Sequence, residues 1–189
     1  MGERCGWVTD DPLYIAYHDT EWGVPVHDSR ELFELLTLEG FQAGLNWLTI
    51  LKRREGFREA FQGFDPYEIA GWGEDQVVRL LADTRIIRHR GKIEATIGNA
   101  RAWAEIESGR GFAGYLWDFV DGRPSQTNRA NLAEVPAQTE ISQRLSKDLK
   151  KRGFRFVGPT IAYAFMQAAG MVNDHVISCP RHTAVAELG

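Results

Sequence analysis

Cysteine is scarce in this chain: two in 189 residues, Cys5 and Cys179, at opposite ends. Two thiols exclude the disulfide framework of a small secreted protein. Long apolar runs are missing, and none approaches the roughly 20 residues that a membrane helix needs. The opening segment MGERCGWVTDDP has neither the basic start nor the apolar middle of a secretory signal. Met1-Gly2 is not a myristoylation start, because Gly6 stands where Ser or Thr is required. These absences predict a cytoplasmic protein with no membrane contact. Excess positive charge is also lacking. A formal net charge of -4 excludes a polycation that grips nucleic acid over its whole surface, although local basic patches can still set DNA contacts. Strand patterning is poor, since no segment alternates and no Asn-Gly or Asp-Gly turn joins two β-branched runs. There is no internal repeat and no low-complexity segment.

What is present reads as helix. Asp28-Ser29 can cap a helix that puts Leu32, Phe33, Leu35 and Leu36 on one face. Trp47, Ile50, Leu51 and Arg54 follow at helical spacing. Asp65-Pro66 with Glu68 reads as a cap, a first-turn proline and a first-turn acid. Val77, Val78, Leu80 and Leu81 suit a short helix, and Lys92 to Ile106 a long one. Tyr115 to Val120 predicts a helix ending at Asp121-Gly122. Ile141, Leu145 and Leu149 mark another, stopped by Gly153. Residues 160–169, apolar almost throughout, predict a buried helix ending at Gly170. The polar stretch Gly122–Gln138 is too short for a strong domain linker. The expectation is an all-α fold in one domain over 1–189, with two helical lobes at most.

Three constellations carry chemistry. Cys5 and His18 lie near one end, His175 and Cys179 near the other. Thiolate and imidazole are preferred zinc ligands, and Cys₂His₂ fills a tetrahedron, so such a site would be structural. His175 and Cys179, four apart, can face one way on a helical turn. The competing reading is two free thiols and two ordinary histidines. His27, His89 and His182 are assigned to the surface or to local hydrogen bonds.

The second constellation is basic: Arg144, Lys147, Lys150, Lys151, Arg152 and Arg155 run into the turn Gly153 to Gly158 and the helix from Thr160. Backbone N–H groups at such a turn suit a phosphate, and a solvated basic face is the alternative. Arg85, Arg88, His89, Arg90 and Lys92 form a second basic cluster, with which separate phosphates could be contacted. The third is aromatic: Trp7, Tyr14, Tyr17, Trp22 and Trp47 crowd the first quarter of the chain. Near them Glu39 shares a helix face with Leu32, Leu35 and Leu36. Aromatics usually mean core, and Glu39 could sit at a frayed end before Gly40. A carboxylate on an apolar face is costly unless used, and aromatic planes beside it suit a flat cation.

Taken together, RCGWV (4–8), DPLYIAYHDTEWGVP (11–25), LEGFQAGLNW (38–47), IIRHRGKI (86–93), KKRGFRFVGPTI (150–161) and NDHVISC (173–179) resemble the 3-methyladenine DNA glycosylase I family along nearly the whole chain. The resemblance implies a fold of the helix-hairpin-helix glycosylase superfamily, with the hairpin near 150–161. It implies one structural zinc on Cys5, His18, His175 and Cys179. It implies a base pocket on Tyr17, Glu39 and Trp47, with Trp7, Tyr14 and Trp22 as lining. It implies a wedge into the DNA stack on Gln42 to Leu45, Gly44 included, and backbone contacts at Gly153, Gly158 and Thr160.

The activity implied is hydrolytic removal of 3-methyladenine from alkylated double-stranded DNA by a monomer, with Glu39 as the catalytic group. Thr160 occupies the place where strand-cutting relatives have a Lys, so no lyase step is expected. Asp174 is the nearest match to an Asp found after the hairpin in many relatives. Its place beside His175 also allows a role in orienting the metal site. Rival functions are a non-catalytic DNA-binding module, a zinc hydrolase or deaminase, which would need an open metal position and H-x-E with P-C-x-x-C, and a small-molecule binder.

Overall fold

Asp28 begins the helix around which the others gather. In the computed structural model, which describes residues 3–188, its carboxylate accepts the N–H groups of Arg30 (3.0 Å) and Glu31 (2.8 Å). Helix α2 (Ser29–Gln42) follows. From Leu36 to Phe41 every residue of α2 is buried, Glu39 included. A helix buried all round needs neighbours on every side. Here they are α3 (Trp47–Leu51), α7 (Arg90–Glu107), α8 (Phe112–Trp117) and α10 (Pro159–Ala168). Trp103 and Trp117 lock onto this centre through indole N–H bonds to Ser29 O (3.1 Å) and Val26 O (2.8 Å).

Helices α4 (Arg54–Ala60), α5 (Pro66–Ala70) and α6 (Glu74–Ala82) pack beside α7 and the stacked rings of Phe57, Phe61, Phe64 and Trp72. The expected continuous turn from Trp47 to Arg54 is broken at Lys52 and Arg53, which separate α3 from α4. Tyr115 to Val120 begins earlier than expected, at Phe112, and tightens to a 3₁₀ turn over Asp118–Val120.

Helix α9 (Glu140–Lys151) and α10 form the expected hairpin. Phe154 N–H bonds to Leu149 O and Gly153 N–H to Lys150 O, each at 3.0 Å. This is the paired C-terminal cap that needs a left-handed residue, supplied by Gly153 at φ 97°. Helices α1 (Pro12–Thr20) and α11 (Pro180–Ala186) have no counterpart in the sequence reading, which also stops at the first residue of α4. Helices α1 and α11 both open with a proline in the first turn, and Asp11 caps α1 through Leu13 N–H (3.0 Å).

The polar stretch after Gly122 is not a free linker. Ser125–Gln126 (β1) pairs in parallel with Val172–Asn173 (β2). Beyond it, Thr127 N–H bonds to Asn173 O (3.3 Å) and Arg129 O accepts Ile177 N–H (2.9 Å). Among the described residues, no helix is long and apolar enough to cross a membrane.

Gly170, at φ 70°, ends α10 where the chain presses against Val24 and Pro25. A methyl group there would lie 2.4–2.5 Å from their backbone atoms. Gly98, inside α7, has open space around it. Gly170→Ala is therefore expected to destabilise by at least about 2 kcal/mol. Gly98→Ala should stabilise by about 0.5–1 kcal/mol. Urea unfolding of the two variants checks the pair.

Candidate active site and metal centre

The chain ends meet in a buried cluster. Cys5, His18, His175 and Cys179 bring four donor atoms within 4.8 Å of one another. Cys5 Sγ lies 3.5 Å from His175 Nδ1, and Cys179 Sγ lies 3.6 Å from His18 Nε2 and 3.8 Å from His175 Nδ1. A tetrahedral ion with ordinary sulfur and nitrogen bond lengths has ligand–ligand edges of roughly 3.3–3.8 Å. These three distances fall on that range, and the cluster could hold a metal ion.

The other nitrogen of each histidine is already engaged: His18 Nδ1 with Asp19 Oδ1 (2.7 Å), His175 Nε2 with Trp22 O (3.0 Å). Such outer partners orient metal-binding imidazoles. Asp174 bonds to neither histidine. Arg4 in turn grips Asp19 and, with His18, holds its carboxyl down to about 2. Burial lowers the pKa of both histidines, His175 to about 4, so both are neutral and able to ligate at pH 7. Burial pushes the Cys5 thiol up to about 12, so a cation must displace its proton. His175 and Cys179 face one way, as expected, but on a turn closed by Cys179 N–H to Val176 O (2.8 Å), not on a helix.

Each side of this cluster also builds a cavity. Tyr17 precedes His18 on α1, Asp174 precedes His175, and Trp7 follows Cys5 by two residues. The Trp7 ring packs on Tyr14 (5.0 Å), Trp22 (5.1 Å) and His18 (5.3 Å), and Trp22 packs on His175 (4.6 Å). The cavity, of about 380 Å³, is lined by Trp7, Tyr14, Tyr17, Trp22, Glu39, Gln42 and Trp47, so these seven expected residues converge. It also takes in Leu132, Val135, Ala164, Gln167 and Asp174. Four of those were not expected. Ala164 and Gln167, three apart on α10, read as core helix, and Leu132 and Val135 hide in the polar stretch.

The two carboxyls of the cavity differ. Asp174 accepts from Thr127 Oγ1 (2.8 Å), Gln167 Nε2 (2.9 Å) and the Tyr163 hydroxyl, and Arg129 Nε lies 3.7 Å away. Glu39 is 5% exposed and its carboxyl has no hydrogen bond among the described residues. Burial alone raises its pKa to about 8. It is not at a frayed end, because α2 continues to Gln42. Among the described residues the indole Nε1 of Trp47 is buried without a partner. An aromatic box with one unpaired carboxyl is arranged for a flat, positively charged guest.

Beside the cavity α2 ends in a tight turn. Leu45 N–H bonds to Gln42 O and Gln42 Nε2 to Leu45 O, both at 2.7 Å. Gly44 takes φ 83°, and the Leu45 side chain is left 41% exposed. Gly153 and Thr160 are exposed, and Gly158 caps α10 with nothing near its Cα face. The basic cluster at 85–92 is a correction. Arg85 is held by Asp83 (2.6 Å) and Glu59, and Arg90 by Glu74 (2.9 Å) and Glu94 (3.3 Å). Lys92 is buried. Glu59 and Glu74, distant in sequence, and the nearer Asp83 and Glu94 pair with two of the cluster's arginines, while Arg88 is exposed and forms no ion pair among the described residues. In the hairpin cluster Arg152 pairs with Asp148 (2.7 Å). Arg144, Lys147, Lys150, Lys151 and Arg155 are exposed and form no ion pair among the described residues.

Two outcomes follow from this electrostatics. A chelator should lower the melting temperature by several degrees, and adding back the ion should restore it, as calorimetry would read. Glu39 has a folded pKa of about 8 above an ordinary value of about 4.5. Its stabilising contribution is therefore complete below pH 4.5 and lost as pH rises through 8. Glu39→Gln should gain on the wild type over that window, by on the order of 5 kcal/mol at pH 9. Urea titrations at pH 5 and pH 9 check the sign.

Comparison with known proteins agrees along the chain. A DNA-3-methyladenine glycosylase 1 of Escherichia coli is 58% identical over 178 residues, covering 94% of this chain and 95% of that protein. A DNA-3-methyladenine glycosylase of Haemophilus influenzae is 48% identical over 185 residues, covering 97% and 100%. A solved 3-methyladenine DNA glycosylase I from Staphylococcus aureus, described for its recognition of 3-methyladenine, superposes with a TM-score of 0.91 at 39% identity, covering 94% of this chain and 95% of that one. The family model described as methyladenine glycosylase matches residues 7–182, and the chain belongs to that family.

Proposed function

We propose that this chain extrudes an alkylated adenine from double-stranded DNA and hydrolyses its glycosidic bond, releasing 3-methyladenine. The observation that carries this is the unpaired Glu39 carboxyl buried in the aromatic cavity of about 380 Å³. Methylation at N3 gives the nucleoside base a positive charge and weakens its bond to the sugar. The base leaves neutral, so a strong general acid is not required. What the protein must supply is a site that takes the base out of the stack and favours its charge.

Tyr17 and Trp47, whose ring centroids are 5.6 Å apart, with Trp7, Tyr14 and Trp22 around them, offer π faces worth roughly 0.5–2 kcal/mol each to a desolvated cation. Glu39 ionises as the cation enters, accepts from the donor edge of the base, and stabilises charge as the bond breaks. Water then attacks the sugar carbon. Thr160 in the first turn of α10 offers no amine for an imine intermediate.

Extrusion needs something in the gap. Leu45 is exposed at the end of the cavity wall, on a Gly44 turn narrow enough to enter a base stack. Gln42 beside it faces the cavity. The backbone amides at Gly153, Gly158 and Thr160, with Lys150, Lys151 and Arg155 nearby, suit phosphates on one side of the lesion. The ion is read as zinc, because a buried Cys₂His₂ tetrahedron is a zinc donor set with no position left for water. Bound there, it ties the chain ends and steadies Tyr17, Asp174 and Trp7 at the cavity wall.

Base release from methylated duplex DNA, with chromatographic identification of the freed base, tests the reading. The wild type is expected to release 3-methyladenine, and Glu39→Gln to lose at least about tenfold in rate while still binding DNA. No release by folded, metal-loaded wild type would overturn the glycosylase reading and leave a DNA-binding module.

A further inference from the structure

Lys92 is a buried cation that the reaction above does not use. Its side chain comes from the first turn of α7 and its residue is 7% exposed. No carboxylate pairs with it among the described residues, and burial lowers its pKa. Its ammonium donates instead to Phe41 O and Ala43 O, each at 2.9 Å. Those carbonyls belong to the end of α2, where helical partners have run out. Ala43 caps the helix at ψ 117° and turns the chain sharply into Gly44 and Leu45. The ammonium also lies 5.9 Å from the Phe156 ring. It is not among the groups lining the aromatic cavity, so it is not placed to attack a sugar there.

The same helix holds the hairpin. Asn99, seven residues along α7 and so on the same face, donates to Arg155 O (3.1 Å) and accepts Arg155 N–H (2.8 Å). Helix α2 touches the hairpin directly as well, since a methyl group at Gly40 would lie 3.3 Å from Phe156 O. A methionine would fill the space of Lys92 without the desolvation of a buried charge. What the lysine adds is the pair of directed bonds to the root of the Leu45 turn.

We infer that Lys92 is a positioning residue that fixes the protruding Gln42–Asn46 turn relative to the Arg152–Gly158 hairpin, so that both engage one DNA duplex at a set spacing. The inference rests on the reading of Leu45 as the wedge and of the hairpin as a phosphate contact. The effect is on DNA distortion, not on the pocket. Lys92 therefore governs excision from duplex DNA without governing affinity for the free base.

The test compares wild type, Lys92→Met, Leu45→Gly and the double variant, all metal-loaded. Three quantities are read: single-turnover release from methylated duplex, binding of free 3-methyladenine by tryptophan fluorescence, and hydrogen exchange at the Leu45 amide. Lys92→Met is expected to slow release about tenfold or more, to leave free-base affinity within about twofold, and to speed exchange at Leu45. In the Leu45→Gly background the same substitution should add little, because both act on one step. A parallel fall in free-base affinity would make Lys92 a general support of the fold and overturn the inference. So would full additivity with Leu45→Gly. Unchanged release by Leu45→Gly alone would instead overturn the wedge reading. If Lys92→Met does not fold, Lys92→Leu, which keeps an apolar side chain and removes the donors, carries the same comparison.

Discussion

A carboxyl with no partner, held inside a box of aromatic rings, is an expensive thing to fold around. Among the described residues Glu39 accepts no hydrogen bond, and burial raises its pKa to about 8. Every other feature near it can be understood as support for that arrangement. Helix α2 is buried all round where it carries Glu39, so the one open side of the carboxyl is the cavity. The opposite wall, Tyr17, Trp7 and Asp174, lies on segments that also furnish metal donors. A bound ion would hold that wall by coordination bonds, leaving the cavity free of packing atoms.

The two acids of the cavity show how environment divides roles. Asp174 accepts from Thr127, Tyr163 and Gln167 and so bridges the polar stretch after β1 to α10. Glu39 is left unsatisfied, and an incoming cation is what would satisfy it. On the proposed reading, selectivity for a charged base would follow from the same desolvation of Glu39. Stability is given up at the site of function and recovered elsewhere, in the α2–α7–α10 core and at the joined chain ends.

Much of this was legible in the sequence where a local rule decides. Asp28 before Leu32 and Phe33, Gly153 after Leu149, and Gly170 after the apolar run each marked a boundary that the structure keeps. Asp11-Pro12 carries the same signal as Asp65-Pro66, and Pro180 opens α11 in the same way, yet short amphipathic ends with little apolar periodicity hid both helices. The aromatic residues and Glu39 converge as expected, because they lie on two nearby segments. Partnerships across the chain were not legible. Nothing at 85–90 shows that Glu59 and Glu74 will neutralise Arg85 and Arg90. Nothing in a polar stretch shows that Leu132 and Val135 will face the cavity. The Cys₂His₂ cluster joins residues 170 apart, a distance over which spacing carries little geometric information; ligand chemistry offers it as one of two readings, and the resemblance to the family favours it.

The claim on which the account turns is the state of one proton. A ¹³C NMR titration of the Glu39 carboxyl, assigned by comparison with Glu39→Gln, measures it in the folded, metal-loaded protein. The account predicts a midpoint near 8. A midpoint in the ordinary range near 4.5 would mean that water or a donor reaches the carboxyl, and the unpaired acid could not be the source of selectivity for a charged base.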